Sequence, residues 1–160
     1  MTFRIVPKDA GHDAAVIAVW TRNYGGTVIV SRGRMHDARK LPGFVALDGD
    51  GLAGALTWHR DGDQVEVVSL DSFAEDKGVG SALLAAAAAQ ARTLGVRRIW
   101  LVTSNDNIRA IRFYQKRGWD IAALHRDAIV EARRLKPEIP LVGDNGIPIR
   151  HEIEFELVLV

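Results

Sequence analysis

Apolar residues recur along this chain with two different periods. Val16, Ile17, Val19 and Trp20 follow helical spacing and predict a helix over Asp13–Tyr24. Gly43–Leu47, Gly51–Arg60 and Gln64–Leu70 read instead as strands, with Asp48-Gly49-Asp50-Gly51 and Asp61-Gly62-Asp63 between them as turns of residues that tolerate positive φ. These three form an antiparallel meander. Ser81–Leu94 is an alanine-rich helix stopped by Gly95, and RIWLVT at Arg98–Thr103 is apolar enough to expect a strand buried on both faces. A helix over Asn107–Arg117 ends at Gly118, and a strand over Asp120–His125 and a helical piece near Asp127–Leu135 follow it. A loop with Pro137, Pro140 and Pro148 leads to a last strand over Glu152–Val160. Thr2–Val6 reads as a short strand, whereas Thr27–Lys40 stays ambiguous between a strand fragment and a helical or looped segment.

The order is α+β with a strand–helix–strand crossover in its middle, and 160 residues suit one domain spanning 1–160. Lysine plus arginine number 21 against 20 acidic residues, so the net charge of +1 offers no overall field for nucleic acid or an anionic membrane. A local basic cluster remains: Arg97, Arg98, Arg109, Arg112, Lys116 and Arg117. The absence of cysteine excludes disulfides, thiolate metal sites and cysteine nucleophiles, and no His/Asp/Glu spacing points to a metal. With no signal-peptide pattern and no membrane-length apolar run, a cytoplasmic location is the default expectation.

One junction carries chemistry. In AEDKGVGSALLAAAAAQA, Gly78 and Gly80 open the alanine-rich helix, where free N–H groups and the positive end of the helix dipole suit a phosphate. A P-loop would need a lysine after Gly80, and Ser81 stands there; a dinucleotide fingerprint would need a third glycine, and Leu83 stands there. A two-glycine cradle for a pyrophosphate and a plain helix start containing glycines both remain open. The junction lies where the Gln64–Leu70 strand gives way to a helix, a place where ligands bind in mixed sheets.

Downstream, TSNDNIRAIRFYQKRGW supplies Asn107, Ala110, Phe113, Tyr114, Lys116, Gly118 and Trp119. Together with the glycine loop this resembles the GCN5-related N-acetyltransferase (GNAT) family, whose members move an acyl group from coenzyme A to an amine. The second motif is complete. The first matches at Gly78 and Gly80 but carries Glu75 where glutamine or arginine is usual and Asp76 where glycine is common. The resemblance implies a mixed, mostly antiparallel central sheet with helices on both faces and a splayed cofactor gap between the Gln64–Leu70 and Arg98–Thr103 strands. It implies acetyl-CoA as co-substrate, held by Lys77, Gly78, Val79, Gly80 and Ser81 at the pyrophosphate. Val68, Leu70 and Asn107 would hold the pantetheine arm, with the Leu70 N–H on the acyl carbonyl. Asn107 fits equally well as an N-cap.

Tyr114 falls on about the same helical face as Asn107, and in the family this tyrosine protonates the departing thiolate. Glu66 is the expected base for the acceptor amine: alternation puts it on the face of Gln64 and Val68, unless a bulge turns the strand, and His59 is the runner-up. Tyr24, Arg32 and Trp58 are expected to line the site of an acceptor that is a small-molecule or peptide amine. The 126–150 segment is expected to form a lid or a homodimer contact. The alternative function on the same fold is a non-catalytic acyl-CoA-binding sensor.

Overall fold

The structure is a computed structural model describing residues 2–49, 51–73 and 78–159. In chain order its elements are β1 (Arg4–Pro7), α1 (Asp13–Tyr24), β2 (Val28–Ser31), β3 (Arg34–Asp37), β4 (Gly43–Asp48), β5 (Gly51–Asp61), β6 (Gln64–Ser72), α2 (Val79–Thr93), β7 (Arg98–Ser104), α3 (Ile108–Lys116), β8 (Asp120–His125), α4 (Ala128–Leu135) and β9 (Glu152–Val158). The main sheet runs β1-β4-β5-β6-β7-β9-β8, while β2 and β3 form a separate hairpin. Every neighbouring pair in the main sheet is antiparallel except β6 and β7, which α2 joins as a crossover.

That parallel pair creates the central feature. Gln64, Val65 and Glu66 pair with Arg98, Ile99 and Trp100, and there the ladder stops, although both strands continue. Beyond Glu66 the two strands part, so their facing edges have no ladder partner in each other.

The sheet is covered on two faces by two cores. One gathers Leu56, Val65, Val67, Ile99, Leu101 and Phe155 against Val79, Leu83 and Ala87 of α2 and Tyr114 of α3. The other packs Val16 and Trp20 of α1 and Ile29 of β2 onto Val45 and Ala55. Only Ile99 and Leu101 of β7 are fully buried; the other residues are half-covered, and the end of the strand from Leu101 to Ser104 lines a cavity. The expectation of burial on both faces is corrected accordingly.

A bulge reshapes β6. Thr57 pairs with Ser69 but Trp58 pairs with Val67, so Val68 is an extra residue. Glu66 and Val68 keep to the α1 side, as their contacts with Ser31 and with the α1 core show. Past the bulge the alternation changes phase: Asp71 reaches α1, where it accepts from Asn23 Nδ2 at 2.8 Å, and Leu70 packs towards the α2 core.

The ambiguous stretch before β4 resolves into the β2–β3 hairpin. Its two turn residues, Arg32 (φ 49°) and Gly33 (φ 75°), are both left-handed, as a two-residue hairpin turn demands. Arg32 tolerates that conformation because it is tied to β9: its N–H and Nη1 donate to the Glu152 carboxylate at 3.3 and 3.2 Å. Among the described residues no helix is long and apolar enough to cross a membrane.

Candidate functional site

The N-terminus of α2 begins the site. Gly78 caps it with φ 81°, a left-handed conformation natural to glycine, and contributes no side-chain cap. The first intrahelical bond is Ala82 N–H to Gly78 carbonyl, which leaves the N–H groups of Val79, Gly80 and Ser81 unclaimed by the helix. Gly80 has a different reason to be glycine: a Cβ there would stand 3.2 Å from Phe113 Cζ. It is the contact point of α2 and α3.

Arg117 completes this end. Its guanidinium lies 3.6 Å over the Phe113 ring, Nε donates to Ser81 Oγ at 2.6 Å, and Nη1 donates to the Phe113 carbonyl. A positive charge is thereby held beside three N–H groups that have no partner among the described residues. Together with Leu70, Ser72, Asn107, Arg109 and Tyr114 these residues line a cleft of about 270 Å³. The basic cluster in the sequence therefore divides. Arg109 and Arg117 reach the cleft, whereas Arg97 pairs with Asp63 and Arg98 with Glu154 and Glu156. Helical spacing of Phe113 and Arg117 was the signal that could have singled Arg117 out.

Leu70, Asn107, Ala110 and Tyr114 also line a second cavity, of about 670 Å³, on the other side of the strand gap. Asn107 caps α3, its Oδ1 accepting the Ala110 N–H at 3.1 Å. Tyr114 is buried among Phe113, Trp119 and Phe155, and burial together with the Asp71 charge holds its phenol well above the ordinary range. It remains protonated at any physiological pH.

The second cavity reaches Glu66. Only 4% exposed, its carboxyl is pushed up to about 7 by burial, opposed by the hydrogen bond that Ser31 Oγ donates to Oε2 at 2.5 Å and reinforced by the charges of Glu152 and Glu154. Its proton affinity thus sits near neutrality, where a base is most useful. His36 Nε2 lies 3.7 Å from Oε1, and the His36 ring stands 5.2 Å from that of His59.

Of the residues expected around the acceptor, Tyr24 lines this cavity, and its hydroxyl faces the Leu70 N–H and the Asp71 carboxylate. Burial first, then the charge of Asp71, raises its phenol well above the usual value. The Leu70 N–H, expected to meet an acyl carbonyl, is thus near a phenol of the chain itself. Arg32 does not line the cavity but holds Glu152, which does. Trp58 lines neither cleft; it packs on the α2-side core. Val68 is in the cavity wall. Lys77, with Glu75 and Asp76, lies outside the described residues.

The far wall is the 126–150 segment, which is stitched down. Arg133 donates to the carbonyls of Ile139, Pro140 and Ile149 at 3.1, 2.6 and 2.6 Å, and Asn105 Oδ1 accepts from the N–H groups of Arg150 and His151. Lys136 Nζ, buried, donates to the carbonyls of Tyr24 and Val28 and clamps the end of α1 to β2. The segment is therefore a fixed wall carrying Ile139, Pro140 and Ile149 into the cavity. No group of three or more His, Asp or Glu side chains that could hold a metal occurs among the described residues.

Comparison with known proteins gives a consistent picture. Residues 13–119 match the sequence profile of the acetyltransferase (GNAT) family. The chain is 49% identical over 156 residues to YdhI, an uncharacterised protein of Bacillus subtilis, covering 97% of this chain and 98% of that one. A Bacillus subtilis acetyltransferase solved in complex with CoA superimposes with a TM-score of 0.75 at 23% identity, covering 99% of this chain and all of the other (100%). The yncA protein of Salmonella typhimurium, a putative acetyltransferase solved with acetyl-CoA, gives 0.71 at 18% identity over 100% of this chain and 95% of its own.

Proposed function

Since the chain belongs to the GNAT family of acetyltransferases, we propose that it moves the acetyl group of acetyl-CoA directly to a primary amine, with Glu66 as base and Tyr114 as acid. The observation that carries this reading is the continuity of the site. A glycine-bearing helix start, a strand gap lined by Tyr114 and a cavity ending at the buried Glu66 adjoin one another in that order. The solved proteins named above hold CoA or acetyl-CoA on this fold.

The residues present fit that co-substrate. The N–H groups of Val79, Gly80 and Ser81 and the Arg117 guanidinium suit its pyrophosphate, and the unpaired edge of β6 beyond Glu66 suits an extended amide-bearing arm. Val68, Leu70 and Asn107 border that arm. Lys77, next in sequence to Gly78, belongs with this group on the family pattern alone. When bound, the co-substrate supplies an activated thioester carbonyl and a thiolate leaving group.

The chain's own groups then divide the proton work. An ammonium entering the second cavity gives a proton to Glu66, whose raised affinity matches the need near pH 7. The free amine attacks with its lone pair. Tyr114, a phenol kept protonated by burial, donates its hydrogen bond where the sulfur departs. Tyr24 and the apolar wall of Ile139, Pro140 and Ile149 border the acceptor.

A panel of small amines and short peptides with acetyl-CoA, monitored by thiol release, tests the reading. Turnover that Glu66→Gln and Tyr114→Phe both suppress supports it. Tight acetyl-CoA binding with no turnover on any amine would favour the sensor alternative.

A further inference from the structure

The base of the proposed reaction must be emptied after each cycle. An ammonium plus acetyl-CoA yields amide, thiol and one net proton, which Glu66, buried in the wall of the acceptor cavity, must pass on before the next cycle. Its two carboxylate oxygens have separate partners. Oε2 accepts from Ser31, whereas Oε1 faces His36 Nε2 at 3.7 Å, too long for a hydrogen bond. His36 Nε2 is buried and has no hydrogen-bond partner, and the whole residue is only 6% exposed. A buried nitrogen facing a carboxylate oxygen without a bond between them is expected when both present lone pairs: Glu66 ionised, and His36 neutral with its hydrogen on Nδ1. One added proton would join them.

Resting on the reading of Glu66 as base, we propose that His36 receives through Glu66 the proton taken from the acceptor ammonium. The N–H bond of the ammonium breaks and an O–H bond forms at Glu66 Oε1. That proton then passes to His36 Nε2, leaving Glu66 a carboxylate and His36 an imidazolium. The imidazolium then gives up a proton on the side of the half-buried His59 ring, 5.2 Å away, restoring both groups. His36 touches no substrate and acts only through Glu66.

The surroundings favour a transient imidazolium over a permanent one. Burial, His59 on β5 and Arg34 on β3 all disfavour the charged ring, and Arg34 also acts on Glu66. Glu152 and Glu154 on β9 work against ionised Glu66, so Glu66 holds the proton more firmly than His36 does and the imidazolium is short-lived. A buried histidine that merely filled space would not need a bare nitrogen aimed at the base.

Two measurements on the full chain test this, the first without any substrate. Long-range 1H–15N NMR of the histidines, with 13C detection of the Glu66 carboxyl, should show His36 as the Nδ1–H tautomer at pH 8. On acidification its Nε2 should gain a proton or hydrogen bond in the same step in which Glu66 titrates, and Glu66→Gln should abolish that step. An Nε2–H tautomer at pH 8, or a His36 transition indifferent to Glu66, overturns the proposal and leaves the base reading standing. In turnover, His36→Gln should lower kcat by about tenfold or more, the lower range for a proton-transfer group. The acid limb of its pH profile should shift, KM for acetyl-CoA should hold, and imidazole should restore part of the rate. A rate lost with an unshifted profile and no response to imidazole would overturn the relay, and full turnover by Glu66→Gln would remove the base reading and this inference with it.

Discussion

Glu66 is held where ionisation is costly, and that cost has a measurable sign. Its folded affinity for a proton exceeds that of an ordinary glutamate, so the native state binds more protons than the unfolded chain between about pH 4.5 and 7. Stability contributed by the protonated group is therefore lost as pH rises through that window. Glu66→Gln removes the penalty while keeping an oxygen for Ser31. The variant should be more stable than the wild type at pH 8 by roughly 1–3 kcal/mol, a shift of several degrees in Tm, and no more stable at pH 4. Thermal unfolding at the two pH values checks this; a variant less stable at pH 8 would mean that the carboxylate is better paired than its burial implies. Tyr114→Phe keeps the packing against Phe113, Trp119 and Phe155 and removes only the hydroxyl. Its acetyl-CoA affinity should change little, and its turnover should fall by roughly ten- to a thousandfold, compared by calorimetry and single-turnover rates.

At the scale of elements, the contact of α2 with α3 shapes the anion cleft. Substituting Gly80 would press on Phe113 as well as on any bound phosphate, so it confounds packing with binding. Arg117 is the cleaner probe: Arg117→Gln removes the charge beside the α2 N-terminus and should weaken acetyl-CoA binding about three- to tenfold, more at low salt than at high. Equal affinity by calorimetry would place the phosphates elsewhere. On the other side, Arg133→Ala cuts three hydrogen bonds that fix Ile139, Pro140 and Ile149. It should raise KM for the amine while acetyl-CoA affinity holds, and matched changes in both would contradict a wall confined to the acceptor.

The elements also show what was legible in the chain. α1 begins and ends at its expected residues because its apolar period is regular and Gly25 terminates it with φ 75°. The meander was visible in its Asp–Gly turns. The β2–β3 hairpin was not, because its turn is Arg32-Gly33, and arginine in a left-handed conformation is paid for by Glu152, 120 residues away. The β6 bulge was equally hidden, since two-residue alternation carries no mark of the extra Val68, and with it went the placement of Asp71 beside Tyr24. Glu66, before the bulge, faces as alternation predicts. Trp58, expected beside the acceptor, is absent from the cavity lining and packs on the α2-side core, a placement that its residue type does not reveal.

For the whole molecule, one parallel pair in an otherwise antiparallel sheet opens the gap, and the cleft at the α2 N-terminus and the cavity that reaches Glu66 meet across it at Leu70, Asn107, Ala110 and Tyr114. The measurement that bears most directly on this arrangement is the pH dependence of thiol release, with an accepted amine at saturation, for wild type and Glu66→Gln side by side. The wild-type rate should climb with pH and level off above about 7, where Glu66 becomes a carboxylate. The Gln variant should lack that step, differ most from wild type near neutral to mildly alkaline pH, and recover at high pH as free amine becomes abundant. Superimposable profiles for the two proteins would contradict Glu66 as the base at the end of the gap.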